Sequence, residues 1–386
     1  MPRSSSHPLV AVLLSTGALT AQTTWVVDAL NRPGTHFLDV PPAVAQASPG
    51  DTIAVRYVDP LTHPYTAPTI QKRLVLLGQG GRPGFLGDLT IQNLPLGQHV
   101  ALRDFELAPF AAATQPSQGN CHLHIRSNLG TVHLTSVTRG ALAQSPAAAN
   151  LWVVDGCTLV EFESCSFRQV GTTGTCRVQN TGSVTIAGSS LQSTTAATAP
   201  LLTLVNTEVC VADTPVLGSA TATAPVIDLC NTTLRLAGSS TTVLSPGTGG
   251  GVFGSCSGTV SVGSGAFLGQ ASGVSVSLLP VPALGGLITA AQVLRVTLYG
   301  ESLGIGLLAV GPPLPVSAPL FSGSLWLDPF QSGSIALVSL DFSGRGVWQV
   351  PLGTTLPTGD TAWLQAVVIG FASGFLLTPP VVVIGP

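Results

Sequence analysis

Seven side chains between residues 124 and 177 could do chemistry together. Placed on a 25-residue stacking period, His124, Arg126, Trp152 and Arg177 fall into one outward patch, and His133, Glu161 and Glu163 into another. The first set offers a ring for a sugar to stack on and cations to bond carboxylate or hydroxyl groups. In the second, an imidazole beside a carboxylate on the next layer has the ingredients of an acid/base pair. His122 and His124 share a strand face and, with His133, could supply metal nitrogens. No carboxylate is placed to complete that set, so no metal or other cofactor is expected. No phosphate-binding loop, nucleophile elbow or zinc-protease motif occurs.

These residues need a scaffold that repeats. The segments CRVQNTGSVTIAG (176–188), LTLVNTEVCVAD (202–213) and IDLCNTTLRLAG (227–238) share one plan: an alternating apolar stretch, Asn-Thr, and a second alternating stretch. Asn180, Asn206 and Asn231 are spaced 26 and 25. Asp155 and Asn128 continue the series backwards, and Cys256 continues it forwards. Val132 and Leu134, Val160 and Phe162, Val184 and Ile186, Val209 and Val211, Leu234 and Leu236, Val260 and Val262 form one face. His133, Glu161, Thr185, Cys210, Arg235 and Ser261 alternate with them and are expected to face water. One such coil cannot bury its apolar face alone, whereas coils stacked ~4.8 Å apart share a core and pair their backbones. Asn suits the corner because it tolerates the left-handed region and its amides can stack into a ladder.

Repeat length and the Asn column together resemble the right-handed parallel β-helix of the pectate-lyase-like superfamily. The expected architecture is all-β: a parallel β-helix over 22–280, then a β-sandwich over 281–386. Asp39, Pro41, Pro42 and the apolar positions Val40, Val44 and Ala47 predict a short capping helix at the first coil. The 35-residue step from Asn93 to Asn128 predicts an inserted loop at 108–119, and a smaller excursion falls at 140–150. Beyond Gly285-Gly286, seven strand-like segments contain Trp326, Trp348 and Trp363 and no cysteine. The Leu-Trp-Leu-Asp-Pro and Trp-Leu-Gln-Ala-Val-Val stretches resemble a C-terminal sandwich of secreted planctomycete-type bacterial proteins.

Composition sets the address. Only 8% of the 386 residues are charged and Lys72 is the sole lysine, at a net charge of −3, so no basic footprint for nucleic acid exists. Residues 1–21 read as a secretory signal: Arg3, an apolar run at 9–14, and small residues up to Ala21. No later apolar run has the length of a membrane span. Seven cysteines in an exported chain leave pairing open, though buried hydrophobic roles suit Cys165 and Cys176.

β-Helix enzymes acting on acidic polysaccharides cluster carboxylates on an outer face, and no such cluster is found here. The expectation is a non-enzymatic secreted or cell-surface protein, structural or glycan-binding, with a polysaccharide or cell-envelope partner. The alternative is a polysaccharide lyase or glycoside hydrolase with its site on the outer face near residues 90–180.

Overall fold

The computed structural model describes residues 22–60, 62–107, 123–139, 152–169, 175–193, 197–263, 265–288, 293–311, 313–320, 323–327, 332–342, 344–351, 361–371, 373–378 and 380–384. The expected signal (1–21), the expected loop at 108–119, the expected excursion at 140–150, Cys121 and His122 lie outside the described residues.

The described residues between Thr24 and Leu278 wind into a parallel β-helix with three sheets. One sheet has 11 strands, from Thr24–Val27 to Ser275–Leu278. A second has 9 strands, from Thr69–Ile70 to Ala271–Ser272. The third also has 9, from Tyr65–Thr66 to Phe267–Leu268. Register follows the apolar alternation: Val132, Val160, Val184, Val209, Leu234 and Val260 pair in one file across six coils. A one-residue slip would turn this whole file outward, so burial fixes the register. The interior also holds an aromatic group in which Trp152 stacks on Phe162 at 4.7 Å with Phe167 at its edge.

The N-terminal end is plugged by the helix Val40–Gln46. Asp39 caps it by accepting from the Val40 N–H, two prolines occupy the first turn, and Val40, Ala43 and Val44 face the core. The Asp51 carboxylate accepts from Thr23 N, Trp25 Nε1 and Ser48 N, tying the entering strand to the helix exit. At the other end, the inward slots of the last strand hold Val276 and Leu278, aligned with Val260 and Val262. Leu278 is 83% exposed.

The C-terminal part is antiparallel. Ala283–Ile288, Val293–Tyr299 and Arg345–Pro351 form one sheet. Ile305–Val310, Gly333–Ser339, Thr361–Gly370, Gly374–Leu377 and Val381–Ile384 form another, and Pro313–Leu320 pairs with Gly323–Leu327. Leu294, Val296 and Leu298 from the first sheet share a core with Leu308, Val338, Leu364 and Val368 from the second. Trp348 packs against that core, while Trp363 is buried with Leu327 against Leu159 of the β-helix.

That last contact corrects the expectation for the outer face of the 11-stranded sheet. His133, Glu161, Thr185 and Cys210 are buried, not solvated. Tyr299, Val281 and Ala283 cover Ala187, Cys210, Ala212 and Ala237, and Trp363 lies edge-on to His99. The C-terminal part is seated on this face, and the alanine file gives it room to approach.

Candidate functional site

The second sheet carries the outward patch, with one substitution of membership. Its register aligns Thr90, His124, Val153, Arg177, Thr203 and Asp228. Trp152 pairs instead with Leu123 and Cys176 and is 0% exposed, so it offers no stacking surface for a ligand. The offset arises at the corner. The left-handed position is held by Asn93, Ser127, Gly156, Asn180, Asn206 and Asn231, with φ from 50° to 63°. Gly156, not Asp155, takes that slot in its coil, which moves every side chain before it by one place and to the opposite face.

Arg126 and Arg177 remain exposed and His124 is half-buried. Arg126 Nε donates to Gln92 Oε1 at 2.9 Å, and His124 Nε2 lies 4.0 Å from Asp88 Oδ2. Arg126 and His124 thus lie on one coil, and Arg177, in the file of His124, lies two coils further along. Such an array can donate hydrogen bonds to hydroxyls or carboxylates running along the helix axis.

The corner ladder runs beside this face. Asn180 Nδ2 donates to Asp155 Oδ1 at 3.3 Å, Asn206 Nδ2 to Asn180 Oδ1 at 3.1 Å, and Asn231 Nδ2 to Asn206 Oδ1 at 3.3 Å. Ser257, not Cys256, extends it, donating to Asn231 Oδ1 at 2.7 Å. Cys256 is bonded to Cys230 in a disulfide. Asn128 is outside the ladder. It is buried, bonds Leu94 N and Ile91 O, and follows the left-handed Ser127. A second ladder runs along another corner. Ser189, Thr214 and Thr241 hydroxyls accept from the backbone N–H of Cys165, Ser189 and Thr214. Small hydroxyl residues repeated 25 and 27 apart were the sequence signal for it.

The second predicted patch is a closed cluster. His133 Nδ1 lies 2.7 Å from Glu161 Oε2, and its Nε2 lies 2.8 Å from Thr135 Oγ1 and 3.6 Å from Glu163 Oε2. His133, Glu161 and Glu163 are 3%, 4% and 8% exposed. Burial pushes the imidazole toward neutrality, but the hydrogen bond and charge of Glu161, with Glu163 behind, outweigh it and raise its pKa. Proton transfer to a substrate needs access, which the covering C-terminal part removes from His133 and Glu161, so that pair is an internal ion group. Among the described residues, no group of three or more His, Cys, Asp or Glu side chains is placed to hold a metal ion.

Where the C-terminal sheet meets the β-helix, a cleft of about 230 Å³ remains. Its floor is Ala187, Gly188 and Ala212, its acidic walls are Glu163 and Asp213, and Arg295, Thr297, Tyr299 and Arg345 form the opposite side. Arg295, Thr297 and Tyr299 alternate on one strand with the core residues Val296 and Leu298, and Arg345 is the cross-strand partner of Tyr299. The Tyr299 hydroxyl donates to Asp213 Oδ2. Burial, and then that carboxylate, push the phenol pKa up. Gly238, at φ +84°, is obligatory beside this pair, since a Cβ there would fall 2.4 Å from Asp213 Oδ1. The alternation in 293–299 was readable in the sequence, but its docking face was not.

The fold is thus an all-β parallel β-helix with a C-terminal antiparallel unit. No protein-family model matches the sequence, and no curated protein matches it. Among solved structures, the chain is similar to the full-length tailspike protein 2 of the Escherichia coli O157:H7 bacteriophage CAB120. The two are 10% identical with a TM-score of 0.32, over 94% of this chain and 68% of that one. Among the described residues, no helix is long and apolar enough to cross a membrane.

Proposed function

We propose that this chain is an exported, non-enzymatic β-helix protein that binds a polysaccharide or cell-envelope polymer on the outer face of its second sheet. The observation carrying this reading is the exposed array of Arg126 and Arg177 with His124 between the Gln92 and Asp155 coils. Coils repeat at ~4.8 Å, so a polymer lying along the axis would meet a polar row at every layer. Residues 1–21 would direct export, and the C-terminal unit would serve attachment. Trp152 has no part in this reading, and the His133, Glu161 and Glu163 cluster acts as internal support.

A second reading, hydrolytic or lytic action on the same face, draws on one observation: the Asp88 carboxylate 4.0 Å from the His124 imidazole. A glycan array run beside a depolymerisation assay on acidic polysaccharides separates the two. The binding reading expects retention without chain cleavage, lost in an Arg126→Ala, Arg177→Ala double variant. Cleavage abolished by Asp88→Asn would replace it with the enzymatic reading.

A further inference from the structure

We propose that the outer face of the five-stranded C-terminal sheet is a dimerisation surface, and that its partner is the same face of a second copy of this chain. The proposal does not rest on the polymer-binding reading. Strand alternation divides this sheet. Leu308, Val338, Val368 and Leu376 point into the C-terminal core, so Ile305, Leu337, Ile369 and Phe375 point the other way. Register sets Phe375, Ile369 and Ile305 side by side on three strands, with Leu337 paired to Leu307 in the next row. At one end of this face Trp363 and Leu327 pack against Leu159 of the β-helix, and toward the other end it opens to solvent. Three turns continue the apolar patch there. Leu303 N donates to Asp341 O at 3.0 Å, Leu340 N to Gly304 O at 2.9 Å, and the Glu301 carboxylate accepts from Ser373 N at 2.8 Å. The turns are thus tied to one another, while Leu303, Phe342 and Phe371 stand in water. Leu303 does so at a left-handed φ of 61°, a strained setting for a leucine.

Area and charge select the partner. Phe342 and Phe371 are 84% and 87% exposed, Leu337 is 73% exposed, and Leu303, Ile305, Ile369 and Phe375 lie between 39% and 50%. At ~150–250 Å² for a large apolar side chain, these residues leave roughly 600–1,000 Å² open to water. The largest apolar patch of a monomer is about 300–600 Å², and a stable interface takes about 800 Å² from each partner. No charged side chain lies in the outward strand rows, so the face has no charge pattern by which to choose an unlike protein. A uniform apolar face is its own complement, as an isologous two-fold contact requires. Glu301 and Asp341 on the turns, with no lysine in the C-terminal part, oppose insertion into lipid.

Sedimentation equilibrium of the full chain tests this. The expected mass is that of two chains at about 10 μM, the weak end for an interface of this area. Phe342→Ser combined with Phe371→Ser should weaken association at least ~100-fold, since a two-fold contact loses each residue twice. Leu337→Lys, on the sheet face and not on the turns, should do the same. Both variants should keep the parent's circular dichroism spectrum, because all three positions are mostly exposed. The Arg126→Ala, Arg177→Ala double variant should dimerise normally, which separates this surface from the polymer face. The proposal is overturned if the parent is a monomer at about 10 μM, if either apolar-patch variant associates as tightly as the parent, or if the arginine variant fails to dimerise. It is also overturned if a monomeric parent floats with phosphatidylcholine vesicles and the Phe342→Ser, Phe371→Ser variant does not, which would assign the patch to lipid.

Discussion

His133 and Glu161 meet on neighbouring coils with Nδ1 and Oε2 2.7 Å apart, on the face of the β-helix that the C-terminal part covers. The raised pKa of His133 favours its charged form in the fold. This stabilisation is complete below the ordinary imidazole pKa of about 6.5 and is lost as pH rises through the elevated folded value. His133→Gln should therefore flatten the alkaline side of the stability profile, measured by denaturant melts between pH 6 and about 9. An unchanged slope would remove the ion group as its source.

His99 titrates the other way. Burial, Arg73 and His133 hold it down at about 3, so it is neutral in the fold. Its contribution is complete above the ordinary imidazole range and falls as pH drops toward the folded value, because the unfolded chain gains a proton that the fold refuses. Since His99 lies 6.3 Å from Trp363, ring to ring, acid should loosen this seat first. Tryptophan fluorescence followed from pH 7 to about 4, with His99→Gln as the insensitive control, checks this.

The Asn ladder should respond to a pair of substitutions. Asn206→Ala loses amide bonds to Asn180 and Asn231 and puts at φ 50° a residue that tolerates the left-handed region less well than Asn. A loss of about 1–2 kcal/mol is expected. Asn206→Gly keeps the backbone conformation and should recover part of this. Equal stability of the two variants in urea would show that the amide bonds, not the turn, are what matter.

Trp152 supplies a separating test. Trp152→Ala should cost about 3–5 kcal/mol through the cavity left beside Phe162 and Phe167. Trp152→Phe, with the fold retained, should leave any polymer binding intact. A selective loss of binding in that variant would contradict the buried position.

Reduction of the Cys230–Cys256 bond, which closes a separation of 26 residues, should lower stability by about 3 kcal/mol. The free thiols Cys165 and Cys210 are pushed up to about 12 by burial and should stay unreactive to alkylating reagents in the folded chain. Labelling before and after denaturation reads both effects.

The stacking of Val132 through Val260 was legible because alternation with period 2 states its own register. Asn180, Asn206 and Asn231 were legible because few residues suit a left-handed corner. Trp152 was misplaced because Gly156 performs the same turn one position after Asp155, and a side-chain count cannot see which of the two bends. His133, Glu161 and Glu163 read as solvated in the sequence because mixed polar residues on a strand look alike whether water or another part of the chain covers them. The alanines at 187, 212 and 237, recurring at the slot of Glu163, were the only local sign of a docked neighbour.

Among the described residues, a helix closes only the first coil of the stack. With Val40–Gln46 closing the first coil and Leu278 left bare at the last, duplication of a 25-residue layer outside the coils that seat the C-terminal part would lengthen the stack without disturbing either terminus. Evolution or design could thus alter the reach of the molecule by whole layers, each adding one more rung of surface at an unchanged pitch.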